Sequence, residues 1–302
     1  MNQALGVMTM IGDRPELNLK TVIYATDFSL SSQNAGLYAA RIAAYFSATL
    51  LVTHAFTLSQ AALEVEIDRT LVSQQRKDLK SLLSRRALLL RAESIEAIST
   101  LLEGDPKDVI PALADNNAPA IIVLGTHGGG WLARGIIGSV AEKILRSSNW
   151  PSLTVGPQVK PVSPRTFPFT RILFATDFTP AVANAAVYAV TFAEVFGAGI
   201  DVLNVIPDDA IEHPDRLSEL QARFFNALDL LVPQQAREFC DSRTFVAVGN
   251  AHDRILEHIS QRSIDLLVLG IRRTSHLSME MRTSGAFRII VDAPCPVLTI
   301  RT

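Results

Sequence analysis

Short, unbroken apolar runs alternate with longer amphipathic stretches along the chain. In the first half these runs are TVIYA from residue 21, TLLVTHAF from residue 49, ISTLLEG from residue 98, AIIVLG from residue 120 and SLTVG from residue 152. Because apolar and polar residues do not alternate within them, the runs predict strands buried on both faces of a parallel sheet. The stretches between them predict helices, and this alternation is typical of an open, doubly wound α/β sheet.

Two of the predicted helices carry local signals. Ser29 is expected to cap the helix after the first strand, and Leu37, Ala40 and Ala44 are expected to form its buried stripe. The stretch DPKDVIPALADNN predicts a short helix, and its internal Pro111 predicts irregular first turns.

The second half of the chain repeats the first. The segment KTVIYATDFSLSSQNAGLYAARIA from Lys20 matches TRILFATDFTPAVANAAVYAVTFA from Thr170, so that Asp27 and Asp177 are equivalent. LVTHAFT, residues 51–57, matches DVLNVIP, residues 201–207, and WPSLTVGP matches CPVLTIRT. Self-similarity over this length indicates two copies of one folding unit.

A proline-rich segment, GPQVKPVSPRTFPFT, separates the two copies. Such a segment is unsuited to the interior of a helix or a sheet. The sequence therefore predicts domain 1 over residues 1–157, a linker over residues 158–169 and domain 2 over residues 170–302, as two tandem doubly wound domains.

Composition narrows the class of protein. The chain has 302 residues, 48% of them hydrophobic and 19% charged, which suits a folded globular protein. The net charge of −2 gives no reason to expect a nucleic-acid partner. No apolar run reaches the roughly 18 residues of a membrane span, and the first residues do not resemble a signal peptide. With only Cys240 and Cys295, both interpreted as ordinary apolar residues, a cytoplasmic protein without a membrane partner is expected.

The candidate chemistry lies in the segment GTHGGGWLARGIIGSV, which begins at Gly125 directly after the fourth strand. It leads into a helix whose Ser139 and Glu142 have the spacing of a capping box. In a doubly wound sheet, ligands bind at the carboxyl ends of the strands, where Asp27 also lies. Free amides at a helix amino end, preceded by glycines, can cradle a phosphate. The alternative is that the glycines only turn the chain and Ser139 only caps the helix.

Gly125, Gly128 and the pair Gly138-Ser139 have the G-x2-G-x9-G-[S/T] spacing of the nucleotide-binding universal stress proteins. The segments YATDFS, VTHAF and PSLTV also resemble that family, and the resemblance covers residues 18–157 and 168–302. The chain is therefore similar to a tandem universal stress protein. The resemblance implies a five-stranded parallel sheet flanked by helices in each domain, with ATP as the ligand.

The resemblance also assigns places to residues around the ATP. It implies contacts to the phosphates, largely through backbone amides, from Gly128, Gly138, Ser139 and Val140. Gly125 and Thr126 would lie near the ribose. Asp27, with the backbone of Ala25 and Thr26, would lie on the adenosine side, and the main chain of Ala55 would meet the adenine. Mg²⁺ is expected to accompany ATP, although no pair of carboxylates marks its site.

Three other side chains are candidates near the loop. His127 either touches the nucleotide or, as we prefer, packs within the loop. Arg134 either folds over the phosphates or points to solvent, and both alternatives stay open. His54, at the end of a strand, is interpreted as structural.

The second copy departs from the glycine pattern. Gly270 is present, but Arg273 replaces the second glycine, and Thr283-Ser284 replaces the Gly-Ser pair. Any Cβ at these places fills space that phosphates would need, so domain 2 is expected not to bind ATP in this manner. Arg272 and Arg273 either bind another anion or are solvated, and the second alternative is preferred.

The sequence lacks the motifs of common nucleotide-dependent enzymes, among them the P-loop and the G-x-G-x-x-G fingerprint. We therefore expect an ATP-binding regulatory protein of the stress response. The alternatives are a slow ATP hydrolase or nucleotidyl-transfer enzyme of the same fold, and a scaffold in which the nucleotide is structural. The resemblance also implies pairing through the last strand of each domain, so SLTV and VLTI are expected to pair within one chain as an internal pseudo-dimer. A further homodimer of whole chains stays open.

Overall fold

The computed structural model describes residues 8–11, 14–57, 69–91, 95–126, 137–162, 169–178, 182–208, 217–234, 236–271 and 285–301. The first half begins with a two-stranded antiparallel hairpin, β1 (Met8–Ile11) and β2 (Arg14–Leu17). It continues with β3 (Thr21–Ala25), α1 (Leu30–Phe46), β4 (Thr49–Phe56), α2 (Arg69–Leu90), β5 (Ala97–Glu103), α3 (Pro106–Asn116), β6 (Ala120–Gly125), α4 (Ser139–Ser147) and β7 (Ser152–Val155).

The second half repeats this order. Its elements are β8 (Arg171–Ala175), α5 (Val182–Phe196), β9 (Gly199–Ile206), α6 (Leu217–Asp229), β10 (Ser242–Val248), α7 (Ala251–Arg262), β11 (Leu266–Ile271), α8 (Gly285–Asp292) and β12 (Val297–Arg301). A short 3-10 helix, Ala236–Glu238, precedes β10. The predicted tandem α/β architecture is therefore confirmed.

All ten strands from β3 to β12 form one continuous sheet in the order β10-β9-β8-β11-β12-β7-β6-β3-β4-β5. Within each half the five strands are parallel, and the halves meet where β7 pairs antiparallel with β12. Across this junction the Thr154 hydroxyl donates to the Val297 carbonyl, and the Thr299 hydroxyl donates to the Ser152 carbonyl. The predicted pairing of the two last strands is confirmed, and the chain forms its own pseudo-dimer.

Helix α1 adds a second connection between the halves. Asn34 and Tyr38 donate side-chain hydrogen bonds to the carbonyls of Val159 and Lys160, in the segment that joins the halves. Farther along α1, the Tyr45 ring lies 5.1 Å from the ring of Phe196 in α5. Both polar and aromatic contacts therefore hold the two halves against each other.

Ser29 caps α1 as predicted, accepting a hydrogen bond from the Ser32 amide. The predicted stripe is only partly accurate, because Ala40 is buried but Leu37 and Ala44 are only partly buried, while Ala35, Ala39 and Ala43 are fully buried. The helix is alanine-rich on more than one face, so side-chain size does not single out the buried one.

The irregular turns predicted for α3 are absent from its backbone, since the helix runs unbroken through Pro111. Proline has no amide hydrogen to donate to the Lys107 carbonyl one turn earlier. That carbonyl instead accepts from the Ser147 hydroxyl at the end of α4, 3.2 Å away. Across the described ranges, no helix combines the length and the apolar composition needed to cross a membrane.

Candidate functional site

Residues from several separate segments of the first half line one cavity at the carboxyl ends of β3, β4 and β6. Its volume is about 180 Å³ among the described residues. Nine of the predicted site residues line it: Ala25, Thr26, Asp27, Ala55, Gly125, Thr126, Gly138, Ser139 and Val140. They come together because neighbouring parallel strands end at the same edge of the sheet.

The turn from β3 to α1 forms one side of the cavity. Phe28 has a left-handed backbone with φ of 65°, an uncommon conformation for a residue with a side chain. Its amide donates to the Thr26 hydroxyl at 3.0 Å. The Asp27 carboxylate accepts from both the amide and the hydroxyl of Ser29, at 3.0 and 2.6 Å. The side chains of the turn thus hold its strained backbone and orient Asp27.

His54 lines the cavity from β4. Its Nδ1 lies 2.7 Å from the Thr26 carbonyl, which can only accept, so Nδ1 donates the hydrogen. The imidazole ring also lies 4.8 Å from the ring of Phe28. These contacts support the structural role predicted for His54 and connect it directly to the turn.

Gly125 ends β6 in an extended conformation and pairs with Val155 of β7. The structure indicates a packing requirement for this glycine rather than a role in turning the chain. A Cβ here would lie 3.0 Å from the Ser31 hydroxyl oxygen and 3.0 Å from the Ser32 nitrogen. Gly125 is needed because the end of β6 passes close to the first turn of α1.

The amino end of α4 forms the opposite side of the cavity. Here the capping-box prediction is wrong, because Gly138 occupies the N-cap and has no side chain with which to cap. Ser139 is the first helical residue, and the Glu142 carboxylate pairs with Arg146 at 2.8 Å. Val140 is 42% exposed.

The amide of Gly138 is also already engaged, donating to the Thr126 carbonyl at 2.7 Å. The first backbone bond into α4 runs from the Glu142 amide to the Gly138 carbonyl. The amides of Ser139, Val140 and Ala141 precede it, and these three residues all line the cavity. They form the set of backbone donors that a negatively charged group could reach.

Three predicted site residues, His127, Gly128 and Arg134, lie outside the described residues. In the second half, Arg272, Arg273, Thr283 and Ser284 lie outside them as well. Their predicted roles stay predictions.

Sequence reasoning missed part of the wall. Pro106 and Ile110, on the first turns of α3, line the cavity with apolar surface, and Ser32 lines it from α1. The signal available was their position, since α3 follows β5, which pairs with β4. Next to this wall, the backbone amide of Lys107 donates to the Asp105 carboxylate and lowers the pKa of that group, with further help from its ammonium group.

The equivalent turn of the second half has the same backbone geometry. Phe178 has φ of 57°, and its amide donates to the Thr176 hydroxyl at 3.1 Å. Asn204 takes the place of His54, and its Nδ2 donates to the Thr176 carbonyl at 2.8 Å. The turn is therefore a property of both halves, whereas the glycine pattern occurs in one.

The second half also contains a buried charge cluster that sequence reasoning did not identify. Asp201 of β9, at 0% exposure, accepts from His258, Arg262 and Arg171 at 2.9, 2.8 and 3.1 Å. Asp201 lies toward the amino end of its strand, away from the edge that carries the candidate cavity in the first half. Among the described residues, no group of three or more histidine, cysteine or acidic side chains is arranged to hold a metal ion.

Comparisons with known proteins agree with this fold. A universal stress protein of Methanocaldococcus jannaschii is 28% identical over 138 residues, which are 45% of this chain and 81% of that protein. The fold is similar to that of a universal stress protein from Archaeoglobus fulgidus, with a TM-score of 0.69, 18% identity, and coverage of 93% of this chain and 98% of that one. The sequence matches the universal stress protein family over residues 18–156 and again over residues 168–301. These two matches span nearly the whole chain, which therefore belongs to the universal stress protein family and carries two copies of its domain in tandem.

Proposed function

We propose that this chain is a regulatory protein of the stress response that binds one ATP in the cavity of its first half. The observation that carries the proposal is the convergence of two kinds of surface. The amides of Ser139, Val140 and Ala141, which have no backbone acceptor among the described residues, belong to residues that line the same cavity as the ends of β3 and β4. Helix amino ends attract anions through their free amides and through the helix dipole.

The cavity chemistry fits a nucleotide. The apolar side formed by Pro106 and Ile110 suits a planar base, and the main chain of Ala55 offers it hydrogen bonds. Asp27 lies beside it, with Oδ1 already engaged by Ser29. The phosphates would lie against the start of α4, where Gly138 leaves room because it has no side chain.

Our proposal assigns ATP to the first half alone. Thr283 stands where Gly138 stands in the first copy, and Arg273 stands where Gly128 stands. Domain boundaries at residues 157 and 170, accompanying Mg²⁺, a homodimer of whole chains and a cytoplasmic location are further predictions from the sequence.

Isothermal titration calorimetry with ATP tests the proposal. We expect one ATP per chain, and we expect Gly138→Val to abolish binding because its side chain would occupy the path of the phosphates. The matched control is Thr283→Val, which changes the equivalent position of the second copy and should leave the affinity unchanged. Two ATP per chain, or equal loss in both variants, would contradict the proposal. Rapid release of labelled phosphate in the same preparations would favour the enzyme alternative.

A further inference from the structure

Each half contains an equivalent hydrogen bond, but a different type of residue donates it in each half. In the first half, His54 Nδ1 donates to the Thr26 carbonyl at 2.7 Å. In the second half, Asn204 Nδ2 donates to the Thr176 carbonyl at 2.8 Å. The donors lie in β4 and β9, and each acceptor is the residue that follows the neighbouring strand, β3 or β8. The N–H group is therefore common to both halves, although the side chain that supplies it is not.

This bond fixes a turn that the backbone alone would not favour. Phe28 and Phe178, two residues after each threonine, both have positive φ, at 65° and 57°. Such a conformation persists only where surrounding contacts enforce it. The threonine amides also bond to the neighbouring strand, at 2.8 Å for Thr26 and 3.0 Å for Thr176. Each threonine is therefore held by hydrogen bonds at both its backbone amide and its carbonyl.

The contact between the His54 ring and the phenylalanine of the turn is not repeated in the second half. The His54 ring packs 4.8 Å from Phe28, whereas Phe178 packs 5.3 Å from Phe224, a residue of α6. Asn204 is 5% exposed, and its Oδ1 has no hydrogen-bond partner in the described part of the chain. A buried amide with one unpaired atom is unfavourable. The contact that Asn204 has in common with His54 is the hydrogen bond that it donates to the threonine carbonyl.

We propose that His54 is a positioning residue of the nucleotide site and acts only as a hydrogen-bond donor to the Thr26 carbonyl. Through this bond it sets the backbone of Thr26 and Asp27, which line the cavity. The expected effect on ATP binding rests on the proposed function. The role of the hydrogen bond in holding the turn does not depend on that function.

The second half supplies the test variants. His54→Asn installs the donor that the second half uses, and His54→Ala removes the donor. We expect His54→Ala to weaken ATP binding about tenfold, the effect of losing one hydrogen bond, and His54→Asn to retain affinity within about threefold. Asn204→Ala is the matched control, since it removes the same bond in the other half and should leave the affinity unchanged.

Two outcomes of the titration would overturn the inference. If His54→Asn loses as much affinity as His54→Ala, the imidazole itself is required. If Asn204→Ala lowers the affinity as much as His54→Ala, the effect reflects general destabilisation rather than local positioning. Melting temperatures of the three variants check that each one folds.

A second readout needs no nucleotide. Amide hydrogen exchange at Phe28 and Ser29 in the free protein should be faster in His54→Ala and return to the wild-type rate in His54→Asn. Unchanged exchange in His54→Ala would overturn the role of the bond in the turn. If the wild-type chain binds no ATP, the proposed function fails, and the exchange rates still decide whether His54 holds the turn.

Discussion

Replacing the buried carboxylate of Asp201 by an amide should destabilise the second half severely, although Asp201→Asn hardly changes the size of the side chain. Asp201 is fully buried and accepts hydrogen bonds from His258, Arg262 and Arg171. Burial by itself would raise the pKa of this carboxyl group. The hydrogen bonds from His258 and Arg262, and the charge of Arg262, outweigh burial and lower the pKa to about 2.

The expected size of the effect follows from that shift. The ordinary pKa of aspartate is 3.8, and each pKa unit corresponds to about 1.4 kcal/mol, so the charged form of Asp201 contributes about 2 kcal/mol at neutral pH. An amide in the same place also leaves the guanidinium groups of Arg171 and Arg262 without their buried counter-ion. Removing one partner of a buried ion pair typically costs about 3–5 kcal/mol, and we expect Asp201→Asn to fall in that range.

Urea denaturation followed by circular dichroism measures the loss. The folded-state pKa lies below that of the unfolded chain, so the contribution of Asp201 is complete above about pH 4 and is lost as the pH falls toward 2. The difference between wild type and Asp201→Asn should therefore be constant from pH 7 to pH 5 and should shrink below pH 4. Asp241→Asn is the control, because Asp241 pairs with Arg243 and Arg171 but is 52% exposed and should cost less than about 1 kcal/mol.

Two results would refute this reasoning. One is a stability of Asp201→Asn within about 1 kcal/mol of wild type at pH 7, which would mean that the cluster does not depend on a buried negative charge. The other is a difference between the two proteins that stays the same from pH 5 to pH 3, which would mean that the carboxyl group does not titrate where its surroundings place it.

Three further predictions concern the cavity and the junction of the halves. Gly125→Val should lower stability by about 2 kcal/mol and abolish ATP binding, because a Cβ there would lie 3.0 Å from the Ser31 hydroxyl, and thermal denaturation with calorimetry checks both effects. Ser139→Ala should leave the free energy of unfolding within about 0.5 kcal/mol of wild type but weaken ATP binding, since Ser139 is not the N-cap; a stability loss above about 1 kcal/mol would restore its capping role. Thr299→Val should cost about 1 kcal/mol in urea denaturation, because its hydroxyl donates to the Ser152 carbonyl across the junction, and an unchanged midpoint would contradict this.

Much of the fold could be predicted because unbroken apolar runs identify the strands. Unbroken apolar runs such as AIIVLG are buried on both faces, and the structure buries all of the residues from Ala120 to Leu124. The candidate cavity followed from topology, since residues after neighbouring parallel strands must lie at one edge. The pairing of β7 with β12 was predictable from the family resemblance, which implies association through the last strand of each domain.

Other features depend on geometry that residue types do not encode. A phenylalanine with positive φ is rare enough that nothing in YATDFS pointed to it, although its turn adjoins Thr26 and Asp27, which line the cavity. The N-cap of α4 is displaced by one residue from the position that the Ser-x-x-Glu spacing suggests, because the Gly138 amide bonds back to the Thr126 carbonyl. Asp201 occupies the position of Leu51 in the first half. No local sequence pattern reveals that side chains from three distant positions, His258, Arg262 and Arg171, donate hydrogen bonds to it.

The duplication itself separates features of the fold from features of a ligand site. Gly104 and Gly249 both adopt φ near +130°, at 137° and 130°, and each precedes a helix capped by Asp105 or Asn250. Features that recur in both halves, like these turns and the hydrogen bond to each threonine carbonyl, serve the architecture that both halves need. Gly125 has a counterpart in Gly270, whereas Gly128 and Gly138 are replaced by Arg273 and Thr283 in the second half, so the architecture does not require Gly128 and Gly138. If they serve a ligand, the second half should fold equally well without binding it, and the one-to-one stoichiometry of ATP with the chain is the direct measure of that difference.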